Sequence, residues 1–515
     1  MVSKISLCAL PPALLLCSLP LTAFDQAGVL DPTFGTGGIV IHDFSSDIDE
    51  GDELVFQSDG KILVGGRYYD GTSNNYAVYR FNTDGSVDLT FDGDGFADVD
   101  LLNADYCYDI ALQADGKIVL SGATELTPAS GNKCVGVVRL NADGSLDNTF
   151  DSDGIVITDV PAFSTLGMDV EIQADGKIVV LAAAYDGSEY DVCILRYNTD
   201  GSSDITFDTD GWSIADIGPF WEEAGSLALQ DDGKIVVVGT CASNPDSSYD
   251  ILVERFNIDG SLDNTFDGDG YVWTDFVVDP EQATGVAIQP DGKILIGTSI
   301  TLASIPYVSV VRYNGDGSVD LTFDSDGYAS IITPGASTQP LDIALQDDGR
   351  IVLTGTYYEG TDFDFFVARF DWDGSVDMTF GTDGMAVTDL SGATDEEVAY
   401  AVGVQPDGKI VAVGYWYNVS SNLQFAMARY GGGPSTQDVF EEDQTSLRIY
   451  PNPSSGQVTV QADGDGSIRI VNAIGQLVFE EVIHGSGTYA LEAKGIYFAT
   501  VTTGGDSVTE RIVVE

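Results

Sequence analysis

Gln113-Ala114-Asp115-Gly116-Lys117 is one copy of a motif, Gln-x-Asp-Gly-Lys, that occurs seven times in this chain of 515 residues. The copies begin at Gln57, Gln113, Gln173, Gln230, Gln289, Gln346 and Gln405. Arg350 replaces the lysine in the sixth copy, and successive copies lie 56 to 60 residues apart. A period this regular indicates one supersecondary unit that is stacked many times.

Each repeat has the pattern of four short strands. In the second repeat, residues 108–113 alternate apolar and polar side chains, and residues 117–120 follow a two-residue Asp115-Gly116 turn, which is a strong hairpin signal. Residues 134–140 are nearly all apolar and predict a third strand, and residues 154–158 predict a fourth. Four antiparallel strands repeated seven times predict an all-β fold, a seven-bladed β-propeller.

A second motif accompanies the first in fixed order. Gly-Ser-x-Asp-x-Thr-Phe, as at residues 144–150, follows Asp-Gly-Lys-Ile in the repeats. With both motifs, residues 28–430 resemble the delta-60 repeat family. The resemblance implies a propeller and leaves the activity undefined.

The two ends of the array are complementary. The segment Asp-x-Thr-Phe first occurs alone, at residues 31–34, before any complete repeat, whereas the last repeat stops after Arg429-Tyr430 and lacks that segment. We therefore expect the N-terminal strand to complete the last blade and close the ring, which removes two exposed sheet edges. Ile39–His42 should then pair with the strand that ends at Arg429.

Basic residues occupy two repeated positions. The chain has 21 lysines and arginines. Seven of them lie at the Asp-Gly-Lys turn, and seven are arginines near the end of a strand. A three-residue turn would place each of these arginines opposite the aspartate of Asp-x-Thr-Phe, on the same face of the sheet. The predicted pairs are Arg80–Asp88, Arg139–Asp147, Arg196–Asp204, Arg255–Asp263, Arg312–Asp320, Arg369–Asp377 and, across the closure, Arg429–Asp31.

The formal charge of −61 limits the classes of partner. Such a charge disfavours nucleic acid and anionic membranes and favours cations, calcium above all. Five repeats carry Asp-x-Asp-Gly after the phenylalanine, and paired carboxylates on a glycine-bent loop suit calcium, although no loop completes a twelve-residue EF-hand pattern. The alternative is plain turn chemistry. The candidate calcium ligands are Asp92, Asp94, Asp151, Asp153, Asp208, Asp210, Asp267, Asp269, Asp324 and Asp326.

The sequence contains few residues that would indicate a catalytic site. It has two histidines, and only His42 lies in the array, so no catalytic residue is assigned. Carboxylate pairs could serve a glycosidase, but 82 acidic residues make that signal unspecific. The five tryptophans could line a carbohydrate groove or pack structurally; they are Trp212, Trp221, Trp273, Trp372 and Trp416.

The N-terminus predicts export. Lys4 precedes an apolar stretch, residues 5–21, and Leu21-Thr22-Ala23 suits cleavage, so residues 1–23 are predicted to be a signal peptide. No other stretch is long and apolar enough for a transmembrane helix, so we expect no transmembrane anchor in the mature chain. The four remaining cysteines could include a disulfide between the first two or could all be buried thiols; they are Cys107, Cys134, Cys193 and Cys241.

Composition changes after the array, where residues 431–446 predict a linker between the propeller, residues 24–430, and a compact β unit, residues 447–515. The unit resembles the type A sorting domain of the type IX secretion system. The matching residues are Tyr450-Pro451-Asn452-Pro453, Gly456, Asn472, Gly475, Gly495-Ile496-Tyr497 and Arg511-Ile512-Val513-Val514. The resemblance implies an immunoglobulin-like sandwich that the secretion machinery recognises, passage across an outer membrane and removal of the tail.

Together these patterns predict a secreted or cell-surface β-propeller for binding or adhesion, whose partner would be an extracellular glycan or protein. The alternatives are an extracellular hydrolase or lyase that acts on polysaccharide, and a structural component of a surface layer. An enzyme should have a convergent polar cluster with shifted pKa values at one mouth of the central channel. A binding protein should instead have a shallow aromatic or acidic face.

Overall fold

The computed structural model divides into two compact units, Met1–Gly433 and Pro434–Glu515. The predicted signal peptide and Trp221 lie outside the described residues. The structure describes residues 26–44, 48–127, 131–217, 222–242, 249–276, 281–302, 305–333, 337–358, 360, 362–390, 392, 395–417, 423–433, 448–450, 457–472, 477–491, 494–503 and 506–514.

The first unit consists of seven blades, numbered here in chain order, each with four antiparallel strands. The first strands are Asp49–Phe56, Asp105–Leu112, Ser164–Ile172, Glu222–Leu229, Glu281–Ile288, Ser337–Leu345 and Glu396–Val404. The second strands are Ile62–Tyr69, Ile118–Glu125, Ile178–Tyr185, Ile235–Ala242, Ile294–Leu302, Ile351–Tyr358 and Ile410–Tyr417. The third strands are Asn74–Phe81, Lys133–Leu140, Tyr190–Tyr197, Tyr249–Phe256, Ile305–Tyr313, Phe363–Phe370 and Leu423–Tyr430.

The fourth strand of blades 1 to 6 follows the third in sequence, whereas blade 7 takes its fourth strand from the N-terminus. Ile39–His42 pairs antiparallel with Leu423–Tyr430, and Ile39 lies opposite Ala428. This is the pairing that the orphan segment predicts. The fourth strands of the other blades are Phe96–Val99, Ile155–Thr158, Trp212–Ala215, Tyr271–Thr274, Tyr328–Ile332 and Met385–Thr388.

The hairpin between the first and second strands differs from the prediction. The Gln113 N–H donates to the Lys117 carbonyl, so three residues rather than two form the turn. Only Gly116 has a positive φ, 85°, while Asp115 has a negative one. The motif is therefore a three-residue turn that ends in a left-handed glycine, and the Asp115 carboxylate accepts the Lys117 N–H.

Apolar side chains of neighbouring blades form shared cores. One core combines Leu54 and Val64 of blade 1 with Val411 and Val413 of blade 7, all buried. Blades 1 and 7 therefore pack against each other as consecutive blades do, and the apolar area that they bury is the main favourable term for their association.

All seven predicted arginine–aspartate pairs are present. The nitrogen-to-oxygen distances are 2.7–2.8 Å, and the side chains of both partners are at most 8% exposed. The lysine of the Asp-Gly-Lys turn, or Arg350 in blade 6, lies within 2.6–3.9 Å of the same aspartate. The basic residues of the two motifs thus converge on one buried carboxylate in each blade.

The remaining residues of Asp-x-Thr-Phe complete this arrangement. In blade 2, the Thr149 hydroxyl donates to Asp147 over 2.7 Å, and the ring of Phe150 lies 4.5 Å from the Arg139 guanidinium carbon. A cation over an aromatic face is attracted by the ring quadrupole. Burial alone would raise the pKa of Asp147, but hydrogen bonds from Thr149 and Lys117 and the charge of Arg139 outweigh it and lower the pKa.

The same arginines connect consecutive blades. Each Nη1 donates to a backbone carbonyl beyond its own blade, over 2.5–2.8 Å. The series of hydrogen bonds continues between the last blade and the first, because Arg429 of blade 7 donates to the Thr83 carbonyl of blade 1. The other acceptors are the carbonyls of Ala142, Thr199, Ile258, Gly315, Trp372 and Gly432.

Of the two alternatives for the cysteines, the structure agrees with buried thiols and not with a disulfide between the first two. Cys107, Cys134, Cys193 and Cys241 are all buried free thiols. Cys107 lies on the first strand of blade 2 and Cys134 on the third strand, with the second strand between them. Two residues separated by an intervening strand lie at about twice the 4.8 Å spacing between strands, which is beyond the reach of a disulfide.

The second unit is a five-stranded antiparallel sheet, in which Gln457–Asn472 pairs with Arg448–Tyr450, Leu477–Ala490 and Gly495–Thr503. Asp506–Val514 pairs with Gly495–Thr503 at the edge. Its core includes Val458, Ile468, Ile470, Ile483, Tyr489 and Val501. An immunoglobulin-like sandwich stays a prediction for this unit.

Replacing Asp204 with alanine should destabilise the first unit by about 3–5 kcal/mol, because the Arg196 guanidinium would stay buried without its partner. The double substitution Arg196→Met/Asp204→Leu should recover part of this loss, since no buried charge is then left unpaired. Urea unfolding of the three proteins measures the difference. A double variant less stable than Asp204→Ala would contradict the paired-charge explanation.

Candidate functional site

The first strands of all seven blades line one cavity of about 730 Å³. Blade 1 contributes Glu53, blade 2 contributes Asp109, blade 3 contributes Asp169, and blade 6 contributes Asp342. Because the first strand of every blade borders it, this cavity is the central channel of the fold.

A β-bulge in every first strand positions these carboxylates. The pairing register with the second strand shifts between Gly51 and Glu53 in blade 1, and at the equivalent place in the other six blades. A bulge inserts one extra residue and redirects the side chains around it. The residue after the bulge is acidic in four blades, and the seven residues at this position are Glu53, Asp109, Asp169, Ser226, Gly285, Asp342 and Ala401.

The channel carboxylates also join neighbouring blades. Asp109 accepts the N–H of Ile110 in its own strand over 2.6 Å and that of Val170 in blade 3 over 2.5 Å. Asp342 likewise accepts the N–H groups of Ile343 and Val402, the second of which belongs to blade 7. These carboxylates therefore fix the spacing of the strands around the channel.

Asp169 makes the corresponding contacts with blade 4. Its Oδ2 accepts the Leu227 N–H over 2.8 Å and the Ser226 hydroxyl over 2.9 Å. Ser226 occupies in blade 4 the position at which Asp169 stands in blade 3, so it serves here as the donor to a neighbouring carboxylate.

Burial raises the pKa of the channel carboxyl groups. For Asp109, burial is the main cause, and the negative charges of Asp169 and Glu53 raise the pKa further. For Glu53, burial is again the main cause, and the charge of Asp342 raises the pKa further. Burial also raises the pKa of Asp342 to about 7, although hydrogen bonds from Val402 and Ile343 oppose it. Asp342 thus changes protonation near neutral pH.

The channel has one sign of charge. Among the described residues that line it, there is no lysine, arginine or histidine, whereas Glu171 adds a fifth carboxyl group. Burial and the charge of Asp169 raise the pKa of Glu171 to about 7. A low-dielectric wall around charges of one sign focuses their field, so the channel favours cationic groups.

Sequence reasoning missed these channel residues, although a signal was present. Glu53, Asp109, Asp169 and Asp342 each lie four positions before the glutamine of the Gln-x-Asp-Gly-Lys motif. Aligning the repeats on that glutamine would have found an acid in four of the seven copies.

The aspartates predicted as calcium ligands lie on exposed loops, and the first of each pair has a positive φ of 42–46°. Its backbone N–H donates to a turn carbonyl of the next blade, as from Asp92 to Asp143 over 2.8 Å. In the described ranges, three or more potential ligand atoms lie within 4.8 Å of one another in two groups, and neither group contains one of the ten predicted calcium ligands. The loops therefore connect blades, and calcium binding by them stays a prediction.

The other residues considered for function are dispersed. The ring centroid of His42 lies 4.1 Å from that of Phe44, and burial lowers the pKa of His42. Trp273 and Trp372 are 51% and 62% exposed, but they belong to blades 4 and 6. The structure does not bring His42 into the channel, because it lies on the fourth strand of blade 7.

The fold and the repeated motifs define the class of protein, a propeller with seven four-stranded blades. A family model described as "Domain of unknown function (DUF5122) beta-propeller" matches residues 57–91, 113–150, 173–207, 230–266, 289–323, 346–380 and 405–431. A second model, "Secretion system C-terminal sorting domain", matches residues 448–515. The chain belongs to the DUF5122 β-propeller repeat proteins and carries a type IX secretion sorting domain.

The sorting domain indicates export by the type IX secretion system to the cell surface or the extracellular space. In the part of the chain that the structure describes, no helix has the length and apolar character needed to cross a membrane. No curated protein is significantly similar to this chain.

Several solved structures match this chain at low similarity. PorZ, a bacterial surface component of the type IX secretion system of Porphyromonas gingivalis, is 12% identical with a TM-score of 0.40; the match covers 92% of this chain and 60% of PorZ. A protein of unknown function from Dyadobacter fermentans is 12% identical with a TM-score of 0.42, over 78% of this chain and 99% of that one. The polysaccharide lyase Uly1 is 12% identical with a TM-score of 0.43, over 74% and 90%.

The channel carboxyl groups should make the protein less stable as pH rises from 5 to 8. A carboxyl group whose pKa is raised on folding binds more protons in the folded state than in the unfolded state, where its pKa is about 4. The free energy of unfolding therefore falls as the pH rises from the unfolded pKa to the folded pKa. Asp342→Asn should flatten this dependence, because it removes a group with a pKa of about 7.

Thermal melting at pH 5, 6, 7 and 8 measures this effect, with the exposed loop substitution Asp153→Asn as the matched control. Parallel pH profiles for the wild type and Asp342→Asn would show that Asp342 does not titrate in this range.

Proposed function

We propose that this protein is a secreted or cell-surface binding protein whose central channel receives a cationic group of an extracellular polypeptide. The observation that carries the proposal is the set of five carboxyl groups, without a basic residue among the described ones, around a cavity open to solvent. A lysine or arginine side chain has the charge and the elongated shape to enter such a channel.

The negative charge of the channel also distinguishes between the candidate ligands. Anionic polysaccharides would be repelled by the channel and by the formal charge of −61. A lyase that acts on uronic acids must neutralise a substrate carboxylate, and the described channel lining offers no basic residue for that purpose. A polypeptide ligand is therefore favoured over an acidic glycan.

A polysaccharide hydrolase is the second candidate. Carboxyl groups with raised pKa values converge in the channel, and glycoside hydrolysis uses two such groups as acid and base. The hydrogen bonds of Asp109 and Asp342 count against this role, because both oxygens of each carboxylate accept a backbone N–H. Such groups are held for structural purposes and have less freedom to transfer protons.

The same proposal includes the domain organisation. We infer a cleaved signal peptide at residues 1–23, a closed propeller ring at 24–430, a linker at 431–446 and an immunoglobulin-like sorting domain at 447–515. Packing of blade 1 on blade 7 and the hydrogen bond from Arg429 to Thr83 support the closed ring. Removal of the sorting domain would leave the propeller as the mature protein.

A fluorescent trilysine peptide tests the binding proposal directly. The secreted protein should bind it more tightly at pH 8 than at pH 5, because the channel carboxyl groups with pKa values near 7 gain charge over this range. Glu53→Gln and Glu171→Gln should each weaken binding, whereas Asp153→Asn on an outer loop should not. A peptide with acetylated lysines is the matched control ligand.

Equal weakening by Asp153→Asn would show that only the overall charge attracts the peptide. Cleavage of a polysaccharide that is abolished by Asp342→Asn would establish the hydrolase instead. Absence of both binding and cleavage would favour a structural surface component.

A further inference from the structure

A second cavity lies between blades 5 and 6. Its volume is about 330 Å³, which is within the range of sites that bind small ligands. Its lining includes Gln289 and Asp291, in the turn between the first two strands of blade 5. It also includes Trp372 and Asp373, in the turn that follows the third strand of blade 6. Among the described residues, none lines both this cavity and the central channel, so the two are separate sites.

Trp372 distinguishes this cavity from the equivalent places in the other blades. Its side chain is 62% exposed, although it lines the cavity. The other six turns have a smaller residue at this position, and none of them is aromatic. These residues are Thr83, Ala142, Thr199, Ile258, Gly315 and Gly432. An exposed indole presents a flat apolar face with a polar N–H at its edge, which suits a ligand that is apolar on one side and polar at its rim.

Blade 5 holds the backbone of the turn that carries Trp372. Arg312 Nη1 donates to the Trp372 carbonyl over 2.8 Å. The Asp324 N–H donates to the Asp373 carbonyl, the next along the chain, over 2.9 Å. Because these contacts fix the turn before a ligand arrives, binding at Trp372 would order little additional backbone.

Asp291 differs from the other aspartates of the Asp-Gly-Lys turns. In the other six blades, the turn aspartate lies 2.9–3.8 Å from the lysine or arginine two residues later. In blade 5, Lys293 instead contacts Asp320 at 2.6 Å, and the described residues include no ion pair between Lys293 and Asp291. Asp291 Oδ1 accepts the Lys293 N–H over 3.2 Å. Its Oδ2 is therefore available as an acceptor at the cavity.

Asp373 supplies a second acceptor. Its Oδ1 accepts the N–H and the hydroxyl of Ser375 over 3.1 and 2.7 Å, whereas its Oδ2 accepts no hydrogen bond from a described residue. The hydrogen bonds from Ser375, and to a lesser extent the charge of Arg312, lower the pKa of Asp373. The carboxylate is therefore ionised, and a strong acceptor, at neutral pH.

Gln289 supplies a donor. Its side chain is 8% exposed, and its Oε1 accepts Arg312 Nη1 over 3.4 Å. In blade 6 the equivalent Gln346 donates from Nε2 to the Gly408 carbonyl over 3.1 Å. Gln289 Nε2, in contrast, donates to no atom of the described residues. The cavity thus offers an amide donor and two carboxylate acceptors beside an aromatic face.

This combination matches a neutral sugar better than a charged ligand. Sugar hydroxyls both donate and accept hydrogen bonds, and the C–H groups of a pyranose ring form an apolar face. Lys293 and Arg312 also line the cavity and would repel a cation. Asp291, Asp373 and the formal charge of −61 would repel an anion.

We propose that the cavity between blades 5 and 6 binds a neutral sugar residue of an extracellular glycan. The sugar ring stacks on Trp372, its hydroxyls donate to Asp291 and Asp373, and one hydroxyl oxygen accepts from Gln289. This glycan site is independent of the cationic ligand proposed for the channel.

The equivalent cavity between blades 2 and 3 is an internal reference. Thr199 occupies there the position of Trp372. Asp115 replaces Asp291 in that cavity, and Lys117 lies 3.8 Å from its Oδ2. The reference cavity therefore lacks the aromatic face, and its turn carboxylate has an ion-pair partner.

A glycan array tests the proposal on the secreted protein. It carries neutral oligosaccharides of glucose, mannose, galactose and N-acetylglucosamine, with uronic acid oligomers as charged controls. At least one neutral oligosaccharide should bind, and the uronic acid oligomers should not. In calorimetric titration with the strongest neutral binder, Trp372→Ala should weaken binding at least roughly tenfold, and Asp291→Ala should weaken it roughly fivefold. Both side chains are exposed, so both variants should melt at the wild-type temperature.

Matched variants separate this site from the rest of the surface and from the channel. Thr199→Ala and Asp115→Ala in the reference cavity should leave glycan binding unchanged, and so should Trp273→Ala, which removes another exposed tryptophan. Glu53→Gln should weaken binding of the trilysine peptide without affecting the glycan. Trp372→Ala should do the reverse, so failure of one proposal is distinguishable from failure of the other.

Three results would overturn the proposal. They are the absence of any neutral binder on the array, equal affinity of the wild type and both cavity variants for the strongest neutral binder, and tighter binding of uronic acid oligomers than of neutral ones. Loss of trilysine binding in Trp372→Ala but not in Glu53→Gln would assign the cavity to a cationic ligand instead.

Discussion

The buried pair of an arginine and an aspartate in each blade is the interaction on which the rest of the propeller depends. In blade 3, Arg196 donates to Asp204 over 2.8 Å, covers the ring of Phe207 and donates to the Ile258 carbonyl of blade 4. One side chain thus fixes the turn that follows it, a core phenylalanine and the neighbouring blade. A planar guanidinium with several donors can make these contacts together, whereas a lysine ammonium cannot.

The same interaction crosses the two ends of the array. Asp31 comes from the N-terminal segment, yet Arg429 of blade 7 contacts it at 2.8 Å and continues to the Thr83 carbonyl of blade 1. A separate N-terminal strand, Ile39–His42, covers the edge that blade 7 would otherwise expose. The two ends of the repeat array are therefore held by the contacts that hold every other pair of blades. This explains why the first Asp-x-Thr-Phe segment occurs alone, before any complete repeat.

How far the sequence predicts the structure depends on whether a feature repeats. The arginine–aspartate pairs and the pairing of Ile39–His42 with blade 7 could be predicted, because they depend on residues at equivalent positions of every repeat. The three-residue turn at Asp115 was missed because Asp-Gly alone does not fix its length. The channel acids occur in four of the seven copies, so the aligned repeats show their positions but not their role. The β-bulges and the burial that give them their chemistry become visible only in the folded chain.

Hydrogen exchange at the amides of Ile39–His42 measures whether the N-terminal strand is an integral part of blade 7. Phe96–Val99 and Ile155–Thr158, the fourth strands of blades 1 and 2, are internal references in the same molecule. The amides of Ile39–His42 that bond to Leu423–Tyr430 should be as protected as the bonded amides of these references, since they open only when the unit unfolds. Exchange of Ile39–His42 at the rate of an unstructured terminus, while the references stay protected, would contradict it.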